Sequence, residues 1–109
     1  MTSTETKNLD SVDFRAQLKN SKSSWLIDVS TREEHEELHI PGSSNFDALS
    51  GDFIDRIDCL DKSKPYFIYC RDGSRSKSAC ILMEELGFKR IFHLTSGIKD
   101  CRGTLERSF

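Results

Sequence analysis

The sequence has no long apolar run, no export signal and no strong charge of one sign. No stretch approaches the roughly 20 apolar residues that a membrane helix needs, and residues 1–6 lack the basic and apolar regions of a signal peptide. Because 16 basic residues are balanced by 18 acidic ones, the formal net charge is only -2. These absences predict a cytoplasmic protein with no membrane and no nucleic-acid partner, in which any attraction for an anion is local.

The cysteine pattern also lacks the usual signatures of metal sites and disulfide scaffolds. The four cysteines, at positions 59, 70, 80 and 101, form no Cys-x-x-Cys pair, and no paired histidine spacing accompanies them. A structural zinc site is therefore not supported. Without an export signal, free thiols are expected rather than disulfides.

The length of 109 residues is typical of one domain. Apolar residues make up 36% of the chain and are gathered in short runs, which argues against disorder. The first residues are polar and carry no apolar period. We therefore expect a disordered tail over residues 1–8 and a single folded domain over residues 9–109.

Short apolar runs alternate with amphipathic segments along this domain. The expected strands are 25–29, 43–46, 65–70 and 91–94, and the expected helices are 11–19, a short one after the capping-box pair Thr31 and Glu34, 52–60, 76–86 and a final piece after Ser96. This alternation predicts an α/β fold in which helices cover both faces of a parallel sheet. Ligands of such sheets bind beyond the carboxyl ends of the strands, and Cys70 lies at one of those ends.

Cys70 ends the most apolar strand and precedes a polar loop and a helix. Unpaired backbone N–H groups, the helix dipole and the charges of Arg71 and Arg75 all favour a thiolate at this position. Gly73 provides a residue that tolerates positive φ, which a loop needs to turn its N–H groups inward, and Asp72 is expected to face outward. A buried apolar cysteine is the alternative, but it leaves the glycine and the arginines unexplained. The pattern predicts that Cys70 is a catalytic thiolate.

Residues 70–76, Cys-Arg-Asp-Gly-Ser-Arg-Ser, resemble the active-site loop of single-domain rhodaneses, the thiosulfate sulfurtransferase family. Residues 25–43 and 86–98 resemble the first and closing blocks of that family, so the likeness spans about residues 9–101. It implies a rhodanese-like fold, a five-stranded parallel sheet with helices on both faces, and a persulfide on Cys70. The substrate-binding residues that it implies are Arg71, Asp72, Gly73, Ser74, Arg75 and Ser76.

The reaction implied by the resemblance is a double displacement. The Cys70 thiolate takes a sulfur atom from an anionic donor such as thiosulfate, and a thiol or cyanide acceptor, or a protein, then takes that sulfur from the persulfide. No metal or organic cofactor is required. One alternative is a small oxyanion phosphatase or arsenate reductase, although four residues separate Cys70 from Arg75 whereas tyrosine phosphatases have five. The other is a non-catalytic interaction module, which the cysteine and both arginines disfavour.

Other residues that carry reactive side chains are interpreted as structural. Cys59 and Cys80 lie in helical segments and are expected to pack as small apolar residues. Asp28, near the end of a strand, is expected to accept hydrogen bonds that orient a neighbouring loop.

The histidines are interpreted in the same way. His39 precedes a proline turn and His93 lies inside a strand, so both are expected to be structural, since persulfide chemistry needs no base. His35 lies within the charged run 33–37, which is expected to be the solvated face of a helix.

Cys101 stands where the rhodanese family usually has a tryptophan, and it is a candidate resolving thiol. After treatment with peroxide, a sulfenate on Cys70 would condense with Cys101 to a disulfide and release water, provided that the two α-carbons come within about 7 Å. We expect peptide mass mapping of the oxidised protein to show a cross-link between the two cysteines that is missing from Cys101→Ser. Oxidised wild type without that cross-link would rule out the resolving role.

Overall fold

The computed structural model describes residues 4–100 and shows strands and helices in alternation. The strands are β1 (Glu5–Leu9), β2 (Trp25–Asp28), β3 (Ser44–Asn45), β4 (Pro65–Tyr69) and β5 (Arg90–Leu94). The helices are α1 (Ser11–Asn20), α2 (Arg32–Glu37), α3 (Phe53–Asp58) and α4 (Ser74–Glu85), followed by a 3-10 helix at Ile98–Asp100. The strands pair in parallel in the order β1, β5, β4, β2, β3, so β4 is central. The expected five-stranded parallel sheet is confirmed.

The predicted tail contains a strand instead. Residues 5–9 form β1, which pairs in parallel with β5 from Glu5 beside Arg90 to Leu9 beside Leu94. The prediction of disorder over residues 1–8 is therefore wrong for residues 5–8. This strand lies at the edge of the sheet and is largely exposed, so its first four side chains are polar, and Leu9 alone gives no apolar pattern. Backbone hydrogen bonds to a buried neighbour hold it in place.

Apolar side chains pack on both faces of the sheet, as expected. Because successive strand residues point to opposite sides, Phe67 and Tyr69 of β4 pack with Phe14 of α1. Ile68 and Cys70 pack on the other face, with residues of α3 and α4 that include Met83. Every residue of β4 is buried as a result. Within residues 4–100, no helix is long and apolar enough to cross a membrane.

Helix α2 has no buried residue, yet it begins at a well-defined cap. The Thr31 hydroxyl accepts the backbone N–H of Glu34 at 3.2 Å, and the Glu34 carboxylate accepts the backbone N–H of Thr31 at 2.9 Å. The predicted capping box is therefore confirmed. It gives a short exposed helix a local reason to begin at this point.

The turn that follows α2 is anchored to the central strand by Tyr69. The phenol oxygen of this buried side chain accepts the backbone N–H of Ile40 at 3.0 Å and lies 2.8 Å from the Ser43 hydroxyl oxygen. Burial raises the pKa of Tyr69, so the phenol stays protonated and donates its proton as well. The segment from His39 to Ser43 is thereby held beside the end of β4.

Removing the Tyr69 hydroxyl is expected to destabilise the fold. In Tyr69→Phe the N–H of Ile40 loses its partner, and we expect a loss of about 1–3 kcal/mol in the free energy of unfolding, measured by urea denaturation. Tyr66→Phe is the matched control, because its hydroxyl donates one bond to the Asp61 carbonyl at 2.6 Å in an exposed loop. Equal losses in both variants would contradict an anchoring role specific to Tyr69.

Candidate active site

Cys70 lies between the end of β4 and the start of α4 and has no exposed surface. Its sulfur accepts the backbone N–H groups of Gly73 at 3.1 Å and Ser76 at 3.3 Å. The hydroxyl oxygen of Ser76 lies 3.3 Å from the same sulfur. Donors of this kind stabilise a negative charge on the atom they surround.

The loop takes this shape because it packs closely against the loop after β5, with one glycine from each loop at the contact. Gly73 has a φ of +90°, and a Cβ on it would lie 1.9 Å from the Thr95 carbonyl oxygen. Gly97 has a φ of +72°, and a Cβ on it would lie 2.3 Å from the Arg71 carbonyl oxygen. The loops that follow β4 and β5 therefore pack backbone against backbone. Ile98 adds a hydrogen bond from its N–H to the Cys70 carbonyl at 3.1 Å.

Arg75 is committed to a carboxylate of α2. Its terminal nitrogens Nη1 and Nη2 bind Glu34 Oε1 at 2.6 Å and Oε2 at 2.9 Å. These hydrogen bonds are the main reason that the pKa of Glu34 falls from its ordinary 4.5 to about 2, and they raise the pKa of Arg75. The prediction that residues 33–37 are only a solvated face is therefore wrong for Glu34. Arg75 braces the loop against α2, and its charge is neutralised there.

Arg71 also contacts α2, but one of its N–H donors is not used in these contacts. Its Nη2 donates to the Glu34 carbonyl and its Nη1 to the Glu37 carboxylate, both at 3.3 Å. Its Nε is buried and has no hydrogen-bond partner within residues 4–100. Arg71 thus carries a spare N–H donor and a loosely paired positive charge beside the loop.

Asp72 and Ser74 form the outer side of the loop, and both are exposed. Asp72 Oδ1 accepts the backbone N–H of Ser74 at 3.0 Å and its hydroxyl at 2.7 Å, which lowers the pKa of Asp72. Asp72 faces outward, as predicted. The N–H of Ser74 is directed to this carboxylate and not to Cys70, and α4 begins at Ser74 rather than at Ser76 as predicted.

Ser76 connects Cys70 to a histidine that the sequence did not mark as part of the site. Its hydroxyl oxygen lies 2.7 Å from His93 Nε2, and His93 Nδ1 lies 3.2 Å from the side-chain oxygen of Asn8. Burial lowers the pKa of His93. His93 is 17 residues from Ser76, and Asn8 is 85 residues from His93. No local sequence pattern therefore predicts these two contacts.

Asp28, the last residue of β2, contacts a second histidine, His35 of α2. Its buried carboxylate accepts the backbone N–H of Ser30 at 2.9 Å and lies 2.8 Å from His35 Nδ1. The prediction that Asp28 orients a loop is confirmed. The prediction that His35 is solvated is wrong, because this ring also stacks on the buried His39 with centroids 4.1 Å apart.

The other thiols divide between core and surface. Cys80 is buried on α4, and burial raises its pKa to about 12, which fits the predicted packing role. Cys59 is exposed, so the packing prediction is wrong there. It follows α3 two positions after the buried Ile57 and therefore lies off the buried face. Cys101 lies outside the described residues.

A largely apolar groove of about 540 Å³ borders the loop. It runs between the segment 48–54 and α4, and Ser74 and Arg75 form its edge. Leu49 and Ile54 on its rim are 70% and 54% exposed. The groove therefore reaches the outside of the loop without including Cys70 among its lining residues.

Residues 11–103 match the family model described as Rhodanese-like domain. The putative sulfurtransferase YtwF of Bacillus subtilis is 32% identical over 87 residues, which cover 80% of this chain and 82% of that protein. Thiosulfate sulfurtransferase GlpE of Pseudomonas savastanoi is 32% identical over 91 residues, covering 83% of each chain. The putative sulfur carrier protein YrkF of Bacillus subtilis is 30% identical over 93 residues, and the chain spans 49% of its length. A rhodanese-like domain protein from Staphylococcus aureus has the same fold, with a TM-score of 0.79 at 24% identity over 94% of this chain and 99% of that one.

The ion pair between Glu34 and Arg75 predicts a pH-dependent contribution to stability. The folded-state pKa of Glu34 is about 2 and its ordinary value 4.5, so the contribution is complete above about pH 4.5 and disappears as the pH falls towards 2. We expect Glu34→Gln to be less stable than wild type at pH 7 and the difference to shrink across that window, as measured by urea midpoints. Glu33→Gln, at the exposed neighbouring position, is the control. A difference that does not change with pH would contradict the assignment.

Proposed function

Because the chain belongs to the Rhodanese-like domain family, we propose that it is a sulfurtransferase that forms a persulfide on Cys70. The donor is thiosulfate or a similar sulfane-sulfur anion, and a thiol or cyanide accepts the sulfur. The observation that carries this proposal is the set of donors around the Cys70 sulfur, at 3.1 and 3.3 Å from Gly73 and Ser76. These groups suit an anionic sulfur at the carboxyl end of a central parallel strand.

In the first step the Cys70 thiolate attacks the outer sulfur of thiosulfate. A new sulfur–sulfur bond forms, the bond inside thiosulfate breaks, and sulfite leaves with its electron pair. The N–H groups of Gly73 and Ser76 hold the cysteine sulfur, and the persulfide formed carries one negative charge. These donors surround the cysteine sulfur before the reaction, so no rearrangement of solvent is needed to stabilise the attacking thiolate.

In the second step an acceptor attacks the outer sulfur of the persulfide, and Cys70 leaves as a thiolate. The same donors around its sulfur stabilise the leaving group. Relatives that are named as a putative sulfur carrier protein and as an adenylyltransferase and sulfurtransferase support a protein acceptor in this step. A thiol on a flexible protein segment has the reach that such a transfer requires.

Arg71 is the group best placed to attract the donor anion. Its buried Nε has no partner among the described residues, and its ion pair with Glu37 is long, at 3.3 Å, with the Glu37 side chain 68% exposed. An exposed pair of this kind is weak and is readily exchanged for a stronger one. Arg75 acts differently, because both of its terminal nitrogens are held by Glu34 and it positions the loop.

The same pairing argues against phosphatase or arsenate-reductase chemistry. That chemistry requires a loop arginine whose paired nitrogens bind the oxyanion. Here Glu34 already occupies both terminal nitrogens of Arg75, at 2.6 and 2.9 Å. The short loop leaves less room as well, with four residues between Cys70 and Arg75.

Because Cys70 has no exposed surface, the donor reaches it only when the loop opens locally. The side chains of Asp72 and Ser74 form the outer side of the loop and are exposed, so they move at little packing cost while Gly73 stays packed against Thr95 and keeps its N–H on the sulfur. The proposed reaction therefore begins with a small movement of the loop and requires no rearrangement of the sheet.

Sulfur loading tests the proposal directly. After incubation with thiosulfate, we expect the intact mass of the wild type to increase by one sulfur atom, and cyanide to remove that sulfur as thiocyanate. Cys70→Ser should show neither effect, whereas Cys59→Ser, which removes an exposed thiol, should behave like wild type. Loading that persists in Cys70→Ser would disprove a persulfide on Cys70.

A further inference from the structure

A buried chain of polar side chains leads away from the Cys70 sulfur. It runs from Cys70 Sγ to the Ser76 hydroxyl at 3.3 Å, from this hydroxyl to His93 Nε2 at 2.7 Å, and from His93 Nδ1 to the side-chain oxygen of Asn8 at 3.2 Å. Cys70 and Ser76 have no exposed surface and His93 is 3% exposed. The reaction described above uses the donors at Cys70 but leaves His93 without a role.

The partners determine where the protons lie when Cys70 is a thiol. The oxygen of Asn8 accepts only, so His93 Nδ1 carries a hydrogen and Nε2 is the acceptor. The Ser76 hydroxyl then donates to Nε2, which is its shortest contact, although the Gly73 carbonyl at 3.2 Å is a second acceptor for it. The Cys70 S–H in turn has two acceptors, the Ser76 oxygen at 3.3 Å and Asp72 Oδ1 at 3.9 Å, and it donates to Ser76, which is nearer. Every polar side-chain hydrogen in this series from Cys70 to Asn8 that the argument uses therefore has an acceptor.

We propose that Ser76 and His93 form a proton relay that takes the proton of the Cys70 thiol into the protein interior. The S–H bond breaks and its proton passes to the Ser76 oxygen, while the Ser76 hydroxyl proton passes to His93 Nε2. The electron pair remains on sulfur, so a thiolate and an imidazolium result. This inference rests on the proposed function, because that reaction requires the thiolate.

The thiolate and imidazolium that result from the proton transfer have as many hydrogen-bond partners as the starting thiol and imidazole. Both N–H groups of the imidazolium have acceptors, at Ser76 and at Asn8, and the new Ser76 hydroxyl proton points to the thiolate. Ser76 therefore gives the sulfur a charge-assisted hydrogen bond only after the proton has moved. The interpretation of His93 as a purely structural residue is replaced by a positioning role.

The surroundings of His93 explain why its protonation is coupled to the loss of the proton from Cys70. Burial and the charge of Lys77 on α4 favour neutral imidazole, whereas a hydrogen bond to the Gly73 backbone favours the charged form. Strand β1 contributes the neutral amide of Asn8, and the residue of β4 that pairs with His93 is Ile68. Among the hydrogen-bonded side chains from Cys70 to Asn8, Cys70 is the group that becomes negative when it loses its proton. The imidazolium therefore gains its electrostatic partner when the neighbouring sulfur is a thiolate.

Titration of the thiolate tests the relay without any sulfur donor. The ultraviolet thiolate absorbance is followed against pH, and the Cys70→Ser form of each protein is subtracted so that only Cys70 contributes. We expect the midpoint to rise by about one pH unit in His93→Gln and in Ser76→Ala, which is a tenfold loss of the thiolate-to-thiol ratio on the rising limb.

Asn8→Asp provides a shift of opposite sign. A carboxylate in place of the amide favours the imidazolium through Nδ1 and should lower the Cys70 midpoint, by less than one unit because Asn8 is exposed. Without the relay, the added negative charge would disfavour a second one on Cys70 and raise the midpoint. The exposed position makes this a mild substitution, so it decides the question even if His93→Gln does not fold.

A lower midpoint in Asn8→Asp, with higher midpoints in the folded variants of Ser76 and His93, supports the relay. An unchanged or raised midpoint in Asn8→Asp, or an unchanged one in folded His93→Gln, overturns it. The sulfur-loading experiment with wild type is independent of these titrations. Normal loading with unaltered midpoints would reject the relay alone, and shifted midpoints with no loading would reject the proposed function alone.

Discussion

The close approach of Gly73 to the Thr95 carbonyl is the constraint on which the site depends. A Cβ at this position would lie 1.9 Å from that oxygen, so only a residue without a side chain allows the loops after β4 and β5 to meet. The positive φ of Gly73 also turns its N–H towards the Cys70 sulfur and starts α4 at the next residue. From that start, Ser76 falls within reach of both Cys70 and His93.

Ionic contacts with α2 hold the other side of the loop. This helix buries no side chain, so apolar packing does not explain its position. Its capping-box residue Glu34 serves two purposes, because the carboxylate that closes the cap at Thr31 also binds Arg75 through both terminal nitrogens. A cap that stabilises a helix thereby fixes an arginine of the Cys70 loop, and the buried Nε of Arg71 is left as the spare donor.

The loop environment favours the proposed sulfur chemistry over phosphate chemistry more clearly than the presence of a cysteine and an arginine does. A single sulfur atom is small enough to be held by the N–H groups of Gly73 and Ser76 and the Ser76 hydroxyl. A phosphoryl group would also require the arginine that Glu34 occupies. The polar path through Ser76 to His93 adds a route for the thiol proton on the protein side, away from the solvent that the buried sulfur does not contact.

Features that arise from neighbouring residues could be predicted before the structure was known. Apolar period and turn residues predicted β4, the loop and α4, the capping-box pair predicted α2, and the resemblance of residues 70–76 to a rhodanese loop predicted the family that the comparisons then showed. Tertiary structure alone decided the contacts between distant residues. Glu34 and Arg75 are 41 residues apart, Ser76 and His93 are 17 apart, and β1 is held by an edge pairing that requires no apolar side chains. A local sequence pattern depends on how one helix or strand packs against the core. These contacts form only when the sheet brings the ends of different strands together.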